Sequence, residues 1–192
     1  MLSASRVNGP GSRFVVWVQG CSRHCPGCFN PLTHDRYEGV ELSTHEIIET
    51  IPLKDVEGIT VSGGEPFEQP EALADLLEAA KGLGLHRLVY TGFSYEELIK
   101  MAGNGITESL FLTDLLIDGA YQRNKPANVP WAGSGNQRIL ELCNGKIRDK
   151  RNFGKNVFDT AGNGEIYIDT AGNIIATGIF DSRNLQREVS AC

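Results

Sequence analysis

The chain has 192 residues, 41% of them hydrophobic, and a formal net charge of −6, with a pI near 5.2. That is enough apolar material for one domain with its own core, while the acidic balance argues against nonspecific nucleic-acid binding, which needs a basic face. The longest uninterrupted apolar run, Phe14 to Val18, is far too short to cross a bilayer, and no charged-then-apolar leader opens the chain, so neither membrane insertion nor secretion is expected.

Arg13 to Gln19 reads as a buried strand. It delivers the stretch Gln19-Gly20-Cys21-Ser22-Arg23-His24-Cys25-Pro26-Gly27-Cys28-Phe29-Asn30, in which Cys21, Cys25 and Cys28 follow a C-x3-C-x2-C spacing. Five cysteines, an odd number with three clustered, do not make a disulfide framework and fit a reducing cytoplasm. Iron–sulfur cubanes are normally held by four thiolates, so a loop offering three leaves one iron open for chemistry. Pro26 stiffens the loop, and Gly20 and Gly27 let the backbone turn closely. The spacing alone leaves two other readings: a closed zinc site completed by His24, His34 or Cys143, and a loop of incidental thiols.

Ser43-Thr44-His45-Glu46 is a capping box predicting a helix that closes near Pro52. Glu57 to Ser62 is the second predicted strand, and it runs into Gly63-Gly64-Glu65-Pro66. The two glycines bare backbone carbonyls at a strand's C-terminal edge, where ligands bind in α/β sheets, and such carbonyls suit an ammonium group. By itself this motif also reads as an ordinary turn; its force comes from the cysteine loop upstream.

Pro70 opens a helix whose Leu73, Leu76, Leu77 and Ala80 share one face. Leu85 to Thr91 is the next strand, Ser94-Tyr95-Glu96-Glu97 caps another helix, and Thr113 to Asp118 is a further strand. The alternation predicts right-handed connections and a parallel sheet, with Thr91, Gly92 and Asp118 on the rim that carries the cysteines. Asp118 can either bond a ligand there or cap its strand. Asn124 to Gly135 reads as a surface loop or a substrate-facing lid around Trp131. In the tail, Asp159-Thr160-Ala161-Gly162-Asn163 recurs as Asp169-Thr170-Ala171-Gly172-Asn173. The second copy joins Ile166-Tyr167-Ile168 to Ile174-Ile175-Ala176 as a predicted hairpin, whose Ile166, Ile168, Ile174 and Ile179 offer apolar surface for docking.

Cys21, Cys25 and Cys28 together with Gly63-Gly64-Glu65-Pro66 resemble the radical S-adenosylmethionine (SAM) superfamily. Val7-Asn8-Gly9-Pro10-Gly11-Ser12-Arg13, Cys25-Pro26-Gly27-Cys28-Phe29-Asn30, Tyr90-Thr91-Gly92-Phe93, Leu115-Leu116-Ile117-Asp118-Gly119 and Trp131-Ala132-Gly133-Ser134-Gly135-Asn136-Gln137 narrow this to glycyl-radical activating enzymes, the anaerobic ribonucleotide reductase branch above all. The resemblance covers residues 7 to about 143. It departs at Ala132, where that branch usually has Arg, and in the residues beyond Cys143.

The alternation and the chain length, with this resemblance, predict a partial open (β/α) barrel of radical SAM type at residues 1–145, and the tail's own pattern predicts a C-terminal β-hairpin extension at 146–192. The resemblance implies a [4Fe–4S] cluster on Cys21, Cys25 and Cys28, and SAM bound by Gly63, Gly64 and Glu65; Gly27, Cys28 and Phe29 in the cluster loop and Thr91, Gly92 and Asp118 at the strand ends are the further candidates to contact it. The activity implied is reductive cleavage of SAM to a 5′-deoxyadenosyl radical that takes hydrogen from a glycine of an anaerobic reductase. A flavodoxin-like or ferredoxin-like donor would supply the electron, in the cytoplasm. Two readings stand beside it: a stand-alone radical SAM enzyme modifying a peptide or small molecule, and a structural metal-binding interaction module.

Overall fold

A computed structural model describes residues 1–149 except Ala102 and Asn128, together with 164–168, Gly172 and 174–178. In chain order the elements are β1 (Leu2–Ser5), β2 (Arg13–Val18), α1 (Thr44–Glu49), β3 (Gly58–Gly63), α2 (Pro70–Gly82), β4 (His86–Tyr90), α3 (Tyr95–Met101), α4 (Asn104–Leu112), β5 (Leu115–Asp118), β6 (Arg138–Cys143), β7 (Lys146–Asp149), β8 (Gly164–Ile168) and β9 (Ile174–Gly178). Among the described residues no helix is long and apolar enough to cross a membrane.

β1 to β7 form one sheet in strict chain order, and β8 and β9 form a separate hairpin. The sheet is open, with β1 and β7 as its edges. β2 to β5 are parallel, as their helical crossovers require. The expected all-parallel sheet is corrected at both sides, because β1 pairs antiparallel with β2, and β5, β6 and β7 pair antiparallel in turn. Neither edge has a helix in its connection. β6 and β7 are joined by Asn144-Gly145, whose φ values of 50° and 73° make the two-residue turn that matches strand twist. The sheet therefore runs on past Gly145.

Strand alternation sorts the core into two faces. Phe14, Val16, Ile59, Val61, Val89, Leu116, Leu140 and Leu142 point to the side covered by α2 and α4. There Leu73, Leu76, Leu77 and Ala80 are buried, as their spacing predicts. On the other face Leu88, Leu115, Ile117 and Ile139 pack under Trp131. The segment expected as a surface loop or a substrate-facing lid, Asn124 to Gly135, is not a plain surface loop, and its Trp131 and Gly133 line a cavity. Trp131 and Ala132 are buried, and Trp131 holds a left-handed φ of 61°, with its carbonyl accepting from Tyr90 Oη.

Both capping boxes form, Ser43 with Glu46 and Ser94 with Glu97. α4 was not expected. It packs closely on the start of α2, where Ser109 Oγ donates to Pro70 O at 3.0 Å. The next residues, Thr113 and Asp114, serve that helix end and Arg87 rather than a strand.

The hairpin docks on the N-terminal segment. Ser5 Oγ and Arg6 N donate to Glu165, Asn8 Nδ2 donates to Thr177 Oγ1 at 2.9 Å, and Tyr167 Oη donates to Ala4 O. The isoleucines are not the docking surface: Ile166, Ile168 and Ile174 are exposed at 54%, 69% and 68%. They lie opposite Ala176 or one another in the ladder, on the face away from Glu165, Tyr167 and Thr177. Ile179 and all of the repeat except Gly172 lie outside the described residues.

Candidate cluster and cofactor pocket

β2 and β3 run side by side, Val18 level with Gly63, so the cysteine loop and the Gly-Gly-Glu-Pro turn leave the sheet together. Gly64 N donates to Val18 O at 2.7 Å and Glu65 N to Gly20 O at 2.8 Å. Only glycine fits at this seam. A Cβ on Gly64 would stand 2.2 Å from Gly20 O, and one on Gly63 (φ 101°) 2.5 Å from Val18 O. The ladder to β4 ends at Val61 and Val89, and beyond it Ser62 to Glu65 line a cavity of about 700 Å³.

The cysteine loop is braced at several points. Gly20 N and Cys21 N donate to Thr33 O and His34 O, Ser22 N and Oγ to Glu68 Oε1, and Cys28 N to Cys25 O. Cys21, Cys25 and Cys28 are all half-buried and all line the same cavity. Burial raises the Cys21 and Cys28 thiols above their ordinary pKa, so a metal that binds there displaces protons. Gly27 has a φ of 74°, and a Cβ on it would meet Arg123 Cδ at 2.7 Å.

The zinc alternative fares poorly against this geometry. His24 and His34 face each other, Nδ1 to Nδ1 at 3.2 Å with rings edge to face. Cys143 is exposed and borders a different cavity. Among the described residues no three His, Cys, Asp or Glu side chains converge on a single-ion site. Thiolates that each hold a different iron of a cubane do not need to converge in that way. The donor set fits a cluster.

Glu65 is 1% exposed. Its Oε1 accepts from Phe67 N at 3.1 Å and Thr91 Oγ1 at 2.8 Å, and its Oε2 accepts from Gly92 N at 2.7 Å. Burial raises its pKa, against these bonds and the charge of Arg23. Glu65 is therefore the tie that holds the Thr91-Gly92 rim against β3. Thr91, Gly92, Gly119, Tyr121, Phe29 and Gly133 also line the cavity, with Phe29 against Tyr121 at 4.7 Å between ring centroids.

Asp118 stands apart from this group. It is 1% exposed, accepts from Tyr95 N at 2.7 Å and from Arg138 Nε at 2.9 Å, and pairs with Arg138, which also grips Glu96. Its oxygens are thus committed to joining β5, α3 and β6. Sequence reasoning missed Gln137, whose Oε1 accepts from Gly133 N at 2.7 Å and whose Nε2 donates to Gly119 O, locking two lining segments together. It also gave no task to Arg13, which is buried and bonded to Thr60 Oγ1 and to the carbonyls of Ile59 and His86. Burial lowers its pKa to about 10. Gly58 leaves room for it, since a Cβ there would lie 2.1 Å from Nη1.

A cysteine-bearing strand end beside a bared glycine rim defines a protein that carries an iron–sulfur cluster over an α/β sheet. Comparison with known families agrees: the model described as "4Fe-4S single cluster domain" matches residues 7–140, and the chain belongs to that family. It is 30% identical over 146 residues to the anaerobic ribonucleoside-triphosphate reductase-activating protein of Enterobacteria phage T4, covering 72% of this chain and 90% of that one. It is also 30% identical over 147 residues to the protein of the same name from Escherichia coli (strain K12), covering 71% and 92%. The pyruvate formate-lyase-activating enzyme of Clostridium pasteurianum is 40% identical over 108 residues, 51% of this chain and 45% of that enzyme.

Proposed function

We propose that the chain is a radical SAM enzyme that activates a glycyl-radical enzyme, and that its target is a backbone glycine of an anaerobic ribonucleotide reductase. The observation that carries this is one cavity shared by the three cysteines and the Gly63-Gly64 rim. The relatives named for the reductase support the choice of target, since they match over nine-tenths of their own length, whereas the pyruvate formate-lyase-activating enzymes match over 45% to 58% of theirs.

The cofactors are a [4Fe–4S] cluster, held by Cys21, Cys25 and Cys28, and S-adenosylmethionine. When bound, they supply one-electron cleavage of the sulfonium and a 5′-deoxyadenosyl radical that takes hydrogen from the partner. The chain's own residues bind and orient. Gly63 and Gly64 offer carbonyls to the methionine ammonium, Glu65 fixes the rim, and Trp131, Gly133 and the hairpin's Ile175 to Gly178 line the cavity.

A glycine of another protein must reach this cavity, and the hairpin at its edge narrows the approach to a flexible loop. Leu32, Tyr37 and Val40, each more than four-fifths exposed next to the cluster loop, suit contact with such a partner. The open sheet fits the partial barrel of radical SAM enzymes, and a flavodoxin-like or ferredoxin-like protein in the cytoplasm would supply the electron.

The test is anaerobic reconstitution with iron and sulfide, then reductant and SAM. The chain should hold about four irons and four sulfides and release 5′-deoxyadenosine and methionine. With an anaerobic ribonucleotide reductase added, a glycyl radical should appear in the electron paramagnetic resonance spectrum. Stoichiometric zinc without sulfide would overturn the reading.

A further inference from the structure

Arg23 sits in the cluster loop between Cys21 and Cys25, and nothing above gives it work. Its guanidinium lies over the Phe93 ring, with Cζ 4.5 Å from the centroid, and it borders the cavity that holds the three cysteines and the glycine rim. Its Nε is buried and has no hydrogen-bond partner. A buried cationic donor left without an acceptor is costly, and long side chains on a loop usually swing to water instead.

Two carboxylates feel the charge of Arg23, those of Glu65 and Glu97. Neither takes the donor. The oxygens of Glu65 accept from Phe67, Thr91 and Gly92, and Glu97 Oε2 accepts from Ser94 N and Oγ. The guanidinium is nevertheless held in place. Phe93 fixes its plane, and Ser22 before it is tied to Glu68. Gly92 gives it room, since a Cβ there would stand 2.5 Å from Cδ and Nε of Arg23. A guanidinium held against a ring beside a ligand cavity, with its Nε buried and unpartnered, is suited to an anion.

We propose that Arg23 positions the carboxylate of S-adenosylmethionine. This rests on the cofactor assignment above and adds the residue that recognises the acid end of the ligand. The amino-acid end of SAM is a zwitterion, and the cavity offers its two halves separate partners: backbone carbonyls at Gly63 and Gly64 for the ammonium, and the Arg23 fork for the carboxylate. A carboxylate has two oxygens with about four acceptor sites, so a bond to Arg23 would not exhaust its acceptors. With both ends fixed, the sulfonium has one orientation relative to the cysteine loop. Lysine at position 23 would keep the charge but lose the planar fork and the stack on Phe93.

The test compares two ligands on the anaerobically reconstituted full chain: SAM, and its decarboxylated analogue, which keeps the sulfonium and the amine. Iron, sulfide and the visible spectrum report the cluster, and equilibrium dialysis reports binding. Arg23→Met should keep the cluster and lose roughly tenfold in SAM affinity, the worth of one charge-assisted hydrogen bond. Its affinity for the decarboxylated analogue should change by less than about twofold, and Arg23→Lys should recover part of the loss for SAM. Equal losses for both ligands, or no loss for SAM, overturn the proposal. So does loss of the cluster in both Arg23→Met and Arg23→Gln, because the residue then builds the loop. A wild-type chain that holds its cluster but binds neither ligand counts against the cofactor assignment instead.

Discussion

Gly92 N donates to Glu65 Oε2 at 2.7 Å, a bond between the segments that follow β3 and β4 at the mouth of the cofactor cavity. Three donors converge on that buried carboxylate, from Phe67, Thr91 and Gly92. Glu65→Gln puts an amide N–H opposite one of them and should cost about 1–3 kcal/mol, the price of one unsatisfied buried donor. Urea denaturation of the reconstituted chain measures it, and an unchanged midpoint would refute the clamp.

The same residue sets a pH dependence. Burial raises the pKa of Glu65 above its ordinary value in the folded chain, so the folded state binds the proton more tightly than the unfolded one. Its contribution to stability is full below the unfolded value and is lost as pH rises through the raised value. The stability gap between wild type and Glu65→Gln should therefore be wider near pH 4.5, the ordinary glutamate value, than at neutral pH. A gap that narrows on acidification would contradict the direction.

Gly64→Ala tests the seam. Its Cβ would press on Gly20 O and C at 2.2 and 2.8 Å, and these are backbone atoms one residue from Cys21. Iron content and SAM binding should fall together, with about 1–3 kcal/mol lost from overpacking. Full iron content in this variant would show that the seam can open without disturbing the loop.

Single Ala replacements of Cys21, Cys25 and Cys28 should each remove most of the iron and sulfide. Cys143→Ala should leave them unchanged, because Cys143 is exposed and borders another cavity. Metal analysis after anaerobic reconstitution decides it.

Hairpin docking can be weakened without truncation. Glu165→Ala with Tyr167→Phe removes the bonds to Ser5, Arg6 and Ala4. Cluster content and uncoupled SAM cleavage should persist, while glycyl-radical formation in the partner should fall roughly tenfold or more, since misplacing a reacting group by about 1 Å can cost more than that. Equal activity in both assays would remove the hairpin from the substrate path.

The parallel centre of the fold was legible because its signals are local: β-branched strands, two capping boxes and one amphipathic helix face. The antiparallel sides were hidden. Cys143-Asn144-Gly145-Lys146 carries a hairpin signal in Asn-Gly, but the flanking strands, Arg138–Cys143 and Lys146–Asp149, are half-charged and lack clean alternation. α4 begins at Asn104-Gly105, which reads as a break; the glycine is there because its Cβ would meet Pro70 and Glu71 backbone at 2.9 Å, a contact no local pattern reveals. The three cysteines and the glycine rim could be read from spacing. The bonding of Glu65 and Asp118 could not, because each depends on donors from residues far along the chain.

The strict chain order of β1 to β7 bears on how the molecule is made. Neighbours in the sheet are neighbours in the chain, so each strand pair closes over no more than the one connection between its strands. During synthesis β2 and β3 can pair once about the first third of the chain has emerged, bringing the cysteine loop against the glycine rim. Strands added later extend the sheet from that end without having to part it. The metal-binding portion can thus be the first section of the sheet to be ready, while Trp131 and the hairpin, which close over the cavity, arrive after it.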